Sequence, residues 1–141
     1  MCIRDRATTG DVLRTGIQCI GLQEGMETVS SCFLMALPDG RTLTYGDCGV
    51  VIDPNETQLV DIANATAESH RCLTGERPRV ALLSFSTKGS ASHPKQEKVA
   101  NALVALRERS PQLLCDGELQ GDAALIPVSY THLTLPTILL V

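Results

Sequence analysis

The sequence predicts an α/β domain in which a mixed sheet is flanked by helices. Three features carry that prediction: a strand, loop, helix, strand succession in the second half, a hairpin signal in the first half, and long segments with apolar residues at helical spacing. Strand–helix–strand units cross over right-handed in nearly all cases, so the second half forms one βαβ element, to which the hairpin adds antiparallel strands. Neither an internal repeat nor a low-complexity linker interrupts the pattern.

The elements follow in chain order. From Thr8 to Leu22, the residues Leu13, Ile17 and Ile20 recur at helical spacing. Thr8 or Thr9, with Asp11, supplies the capping chemistry that the first-turn amides need. Gly25 breaks this pattern. The run VSSCFLMAL at Val29–Leu37 is too continuously apolar for a half-exposed strand and reads as a central strand buried on both faces. Asp39-Gly40 signals a hairpin, because a type I′ turn needs positive φ at both central positions. The return strand is Arg41–Tyr45. Asp53-Pro54-Asn55-Glu56 opens a second helix capped by Asp or Asn. Leu59, Ile62, Ala63, Thr66, Ala67, His70 and Leu73 form one face of it, and it stops at Gly75. After Pro78, RVALLSF has the character of a short parallel strand. The polar loop Ser86–His93 then leads to a third helix with a core face of Val99, Ala102, Leu103 and Leu106, and Leu113–Cys115 is a further buried strand.

A chain of 141 residues with 43% apolar and 20% charged residues has the balance of one soluble globular domain with a single core. A net charge of -4 without clustered Lys and Arg argues against nucleic acid as a partner. No run reaches the ~18 apolar residues of a membrane span, and the charged opening MCIRDR is followed by polar residues instead of a secretory apolar stretch. The six cysteines are scattered without a CxxC spacing. Cys19, Cys32, Cys48 and Cys115 lie in apolar runs, where a free thiol behaves as a small buried hydrophobe. These features predict a reduced, cytoplasmic protein with no membrane partner. A metal site is not expected, since His70, His93 and the cysteines never occur at zinc-ligand spacings.

The last fourteen residues, VSYTHLTLPTILLV, carry no charge although charges occur throughout the body. Their alternation permits a strand. With MCIRDR, however, they resemble translated adaptor sequence of the kind seen at the ends of metagenomic fragments. Residues 1–6 and 128–141 are therefore set aside as artefact, leaving 7–127 as the protein proper.

The loop STKGSASHP follows a strand and precedes a helix, where α/β proteins place ligands. Its small residues expose backbone amides and Lys88 adds a cation, which suits a phosphate or other anion. It lacks the two-glycine spacing of a Walker A loop, and an ordinary surface turn whose serines cap the next helix has the same appearance. Arg14 flanks the first helix, where it either reaches a phosphate or is solvated. His70 reads as a hydrogen-bonded core residue, and His93 as a cap or a contact. Asp116, Glu118 and Asp122 form an acidic cluster. It suits acid–base chemistry in a cleft, but the preferred reading has Asp116 and Glu118 starting a helix, where carboxylates complement the dipole.

Five blocks occur in order: TTGDVLR at Thr8–Arg14, VSSCFLM at Val29–Met35, LLSFSTKGSASHP at Leu82–Pro94, EKV at Glu97–Val99, and DGELQGDAA at Asp116–Ala124. Together they resemble the phosphate acetyl/butyryl transferase family, and its acetyl branch more closely. The resemblance implies a two-domain, isocitrate-dehydrogenase-like phosphate acetyltransferase fold with its active site in the interdomain cleft. Residues 7–22 would end the first domain and 23–127 form most of the second.

The same resemblance implies reversible acetyl transfer between acetyl-CoA and phosphate, giving acetyl phosphate and coenzyme A. Coenzyme A is then a substrate, no cofactor or metal takes part in the acyl transfer itself, and the parent protein is a homodimer. The family's Ser-Arg pair and catalytic Asp belong to a motif resembling N-D-L-S-R-G, which these residues do not contain. No catalytic residue is therefore assigned, and an inactive fragment is expected. Arg14 matches the family arginine that helps bind coenzyme A or phosphate, Thr8 and Thr9 would line the same cleft, and Ser30, Ser31, Lys88 and Ser90 would face it. Gly121 stands where the family often has a larger residue. The alternatives are the acetyltransferase-like C-terminal regulatory region of some malic enzymes, and an unrelated anion-binding α/β module built on the Lys88 loop.

Overall fold

Helix starts are where the local chemistry is clearest. In the computed structural model, which describes residues 7–125 and the pairing of residues 139–140, Thr8 caps helix α1 (Thr9–Ile20). The Thr8 hydroxyl accepts from the Asp11 N–H at 3.2 Å while the Asp11 carboxylate accepts from the Thr8 N–H at 3.2 Å. Asn55 and Gln58 make the same reciprocal pair at the start of α2 (Glu56–Thr74), at 2.9 Å in each direction. Both satisfy amides that would otherwise lack partners. Gly75, in the left-handed region at φ 74, ends α2 as expected. Helix α1 ends at Ile20 with Gly21 as its cap, two residues before the predicted end at Leu22.

The remaining elements are β1 (Phe33–Ala36), β2 (Thr42–Tyr45), β3 (Arg79–Leu83), α3 (Pro94–Arg109), β4 (Leu114–Leu119), α4 (Gly121–Leu125) and β5 (Leu139–Leu140). They form a mixed sheet in the order β1-β2-β5-β3-β4, with β1 and β2 antiparallel and the other pairs parallel. The predicted mixed sheet and βαβ unit are both present. Residues 1–6, 126–138 and 141 lie outside the described residues, and with them most of the two ends set aside as foreign. Leu139 and Leu140 pair in parallel with Thr44–Tyr45 on one side and Val80–Ala81 on the other.

Strand β3 alternates its side chains between two cores, as strand geometry requires. Val80 and Leu82 join Leu59, Ala63, Ala102, Leu103 and Leu106 under helices α2 and α3. Ala81 faces the other way, with Leu43, Leu119 and Ala124. Full burial of each large side chain stabilises the fold by about 1.5–3 kcal/mol.

Several expectations are corrected. The apolar run at Val29–Leu37 yields only the four-residue β1, and all four residues are exposed: β1 is an edge strand, paired on one side to β2. Cys19 is exposed on α1, which buries none of its residues, and Cys32, Cys48 and Cys115 are only partly buried. Leu73 is 65% exposed, rotated off the buried face of α2 by the drift of the helical repeat. The hairpin exists, but its turn is not type I′. Pro38 fixes a negative φ, only Gly40 is left-handed at φ 86, and the Gly40 N–H donates to the Leu37 carbonyl at 3.0 Å. Asp116 and Glu118 start no helix. They lie within β4, where pairing with β3 overrides the local acidic signal.

Candidate functional site

The predicted site residues fall into three groups. Ser30 and Ser31 come together in a cavity of about 210 Å³ that Thr28, Met26, Thr66 and Ser69 also line. The Ser31 hydroxyl oxygen is buried without a hydrogen-bond partner. The wall of this cavity is held by a buried carboxylate that sequence reasoning passed over. Asp61 of α2 is 2% exposed. It accepts from the Glu27 N–H at 3.0 Å and from Arg109 Nη1 at 2.5 Å, while Arg109 Nη2 donates to the Gly25 carbonyl at 2.5 Å. Burial raises the Asp61 pKa, but hydrogen bonds from Glu27, Arg109 and Thr28 outweigh it and leave the carboxyl lowered. The one sequence signal was an acid between Val60 and Ile62 on an apolar face.

Thr8, Thr9 and Arg14 form the second group, on α1. This helix contributes no buried residue. Thr8 is occupied as its cap, and Arg14 is exposed, 3.4 Å from Asp11 one turn back. Its guanidinium is thus held loosely at the surface, since such pairs contribute little.

Lys88 and Ser90 form the third group, in the loop between β3 and α3. This loop does bind an anion, and the anion is the chain's own Glu118. The Gly89 N–H donates to Glu118 Oε1 at 2.6 Å, the Ser86 hydroxyl donates to the same oxygen at 3.2 Å, and Gln96 Nε2 donates to Oε2 at 2.6 Å. Burial pushes the Glu118 carboxyl up, yet these three donors prevail and hold it below its ordinary range. Lys88, left-handed at φ 49, pairs with Asp116 and donates to the Gly117 carbonyl at 3.2 Å. Ser90 accepts from the Thr87 N–H at 3.2 Å and so tightens the loop. The loop's cation and amides are therefore directed at β4.

The other flagged residues have structural roles. His70 is fully buried, with Nδ1 2.8 Å from the Thr44 hydroxyl. His93 caps α3 through Nδ1, which accepts from the Lys95 N–H at 3.1 Å. A side chain at Gly121 would meet nothing within 4 Å, so a larger residue fits there. Gly117 is the constrained glycine, and it was not singled out by sequence. Among the described residues no cluster of His, Cys, Asp and Glu could hold a metal ion.

A mixed sheet with polar loops gathered at the carboxyl ends of parallel strands belongs to the class of α/β domains that bind small molecules there. Within that class, the chain belongs to the phosphate acetyl/butaryl transferase family, whose sequence model matches residues 5–135. The match starts inside one stretch set aside as foreign and ends inside the other. A phosphate acetyltransferase from Paracoccus denitrificans is 46% identical over 124 residues, covering 84% of this chain and 39% of that protein. One from Bacillus subtilis (strain 168) is 41% identical over 120 residues, covering 85% and 36%. Among solved structures, a phosphotransacetylase from Streptococcus pyogenes superposes with a TM-score of 0.87 at 33% identity, covering 96% of this chain and 44% of that one. The EutD phosphotransacetylase from Staphylococcus aureus gives 0.82 at 30% identity, covering 94% and 43%. The chain thus spans less than half the length of these relatives.

Proposed function

We propose that this chain supplies one wall of the active site of a phosphate acetyltransferase, which moves an acetyl group reversibly between coenzyme A and phosphate. The observation that carries the reading is 46% identity to a phosphate acetyltransferase spread over 84% of the chain. The cavity at Ser30 and Ser31 supports it, because acyl transfer needs donors around the phosphoryl oxygens and the developing oxyanion, and the Ser31 hydroxyl has no partner of its own.

In this reading the coenzyme A thiolate attacks the carbonyl carbon of acetyl phosphate. The carbon–sulfur bond forms, the carbon–oxygen bond to phosphorus breaks, and phosphate leaves. A base must take the thiol proton, and no residue of this chain is assigned that role. Arg14 holds coenzyme A or phosphate, with the hydroxyls of Thr8 and Thr9 beside it. Ser30 and Ser31 face the reacting groups. Lys88 and Ser90 shape the cleft edge through a loop fixed on Glu118. Coenzyme A is a substrate, and direct transfer calls for neither cofactor nor metal. The protein acts in the cytoplasm as a homodimer; no helix among the described residues is long and apolar enough to cross a membrane.

The test is to join the chain to its flanking coding sequence and follow acetyl-CoA formation from acetyl phosphate and coenzyme A. Turnover is expected from the long protein and none from the 141 residues alone. Arg14→Ala in the long protein raises KM for coenzyme A without altering thermal stability, because the side chain is exposed. A long protein that forms no acetyl-CoA refutes the reading.

A further inference from the structure

A second cavity, of about 310 Å³, opens where β3 ends, between the segments leading into α2 and α3. That volume is at the lower end of the range for small-molecule sites. Leu82, Leu59 and Val99 form its apolar floor, and Phe85, Lys95 and Lys98 are on its rim. Phe85 is 56% exposed, and its ring meets that of His93 edge-on, with centroids 5.7 Å apart.

Asp47 reaches this cavity from the segment after β2. It holds a left-handed backbone at φ 58, which an L residue with a side chain rarely adopts. Its Oδ1 is buried without a hydrogen-bond partner. An unpaired buried acceptor is costly, and a ligand that donates to it recovers that cost. Lys98 pairs with Asp53 at 2.6 Å and also favours the charged form of Asp47, whereas Lys95, exposed on the first turn of α3, makes no close ion pair among the described residues and only acts on Asp53 from a distance.

We propose that this cavity binds the phosphorylated nucleoside end of the substrate: an amino-bearing heteroaromatic base donates to Asp47 and lies against Phe85, and a phosphate pairs with Lys95. The features select this chemistry jointly. A buried acceptor without a donor selects a donor, an apolar floor beside an exposed ring selects a flat base, and an exposed ammonium at the rim, sharing the single carboxylate of Asp53 with Lys98, selects an anion. This inference rests on the proposed function, since coenzyme A carries both an adenine and phosphates.

The experiment is isothermal titration of the full 141-residue chain with adenosine 3′,5′-bisphosphate, with inorganic phosphate as the second probe. The bisphosphate is expected to bind, and phosphate alone to bind at least about tenfold more weakly, since stacking and one charged hydrogen bond are lost. Phe85→Ala and Asp47→Asn each weaken the bisphosphate roughly tenfold. Phe85 is exposed, so its variant folds and keeps the test valid if the Asp47 variant does not. Equal affinity for phosphate and bisphosphate, or an unchanged affinity in Phe85→Ala, overturns the inference. The two readings fail separately. Acetyl transfer by the long protein with no bisphosphate binding here sinks only this site, while bisphosphate binding without acetyl transfer sinks only the proposed reaction.

Discussion

Gly117 is the position where a single methyl group does the most damage. Strand β4 bulges against β3: Ala81 pairs with Asp116 and Leu83 with Leu119, so Leu82 faces two residues, Gly117 and Glu118. A Cβ on Gly117 would lie 2.9 Å from Leu82 Cβ and 3.1 Å from the Leu82 carbonyl oxygen. Neither atom is the free end of a side chain, and Leu82 is 1% exposed at the centre of the larger core. The strands must separate to admit the methyl. Overpacking of this kind costs about 1–3 kcal/mol. For a chain of 141 residues, each kcal/mol lowers Tm by about 4 °C, so Gly117→Ala lowers it by roughly 4–12 °C. Urea unfolding followed by far-UV circular dichroism measures the change directly, with Gly121→Ala as control. A Cβ there meets nothing within 4 Å, and Gly121 begins a helix, so its variant gains roughly 0.5 kcal/mol. A Gly117→Ala chain within about 0.5 kcal/mol of the parent, the ordinary range of surface substitutions, refutes the bulge argument.

Glu118→Gln removes a buried carboxylate that accepts from three donors and destabilises by about 1.5–3 kcal/mol in the same unfolding assay. Because the folded carboxyl lies below its ordinary 4.5, its stabilisation is full above that pH and is lost as pH falls through the folded value; the variant lacks this acid-side slope. Asp61→Asn costs about 1–3 kcal/mol, discounted because Arg109 is 39% exposed, and speeds amide hydrogen exchange at Glu27 before that of the α2 interior. Burial holds the His70 pKa below 6.5, opposed by Glu76, so the unfolded chain takes up more protons below that pH. Stability therefore falls as pH drops below 6.5, and His70→Gln flattens the urea midpoint in that window.

What the sequence made legible was local. The Thr8–Asp11 and Asn55–Gln58 pairs are three residues apart, Gly75 needs only its own backbone, and the face of α2 from Leu59 to His70 follows from helical spacing. The misreadings come from partners that are distant in sequence. Asp116 and Glu118 look like the start of a helix until β3, more than thirty residues earlier, claims them as strand residues. The run through Phe33, Leu34 and Met35 reads as interior because its composition is interior, but composition cannot tell a central strand from an exposed edge strand. Asp61 escaped notice for the same reason: the residues that make it necessary, Glu27 and Arg109, are 34 and 48 positions away.

The Lys88 loop shows how such a distant partner redirects a functional reading. Its amides and ammonium have the pattern of a phosphate cradle, and in isolation they would attract one. With Glu118 on Gly89 and Asp116 on Lys88, an incoming phosphate has to displace two carboxylates held by the strand next to it. That displacement would leave Glu118 buried and short of donors, a loss comparable to what the phosphate would gain. The unmatched polar atoms are elsewhere. Apart from His70 Nε2 in the core, they are Ser31 Oγ and Asp47 Oδ1, both buried without partners among the described residues, and a hydrogen bond of 3.2 Å from the Cys48 N–H to the Ser31 carbonyl ties their two segments together. Ser31 lines the cavity beside Thr28 and Asp47 the one at the end of β3, so a donor can reach each atom without breaking any pair the fold already has. The polar demand of the molecule thus points to the region where β1 begins and β2 ends, with the Lys88 loop as its rigid border.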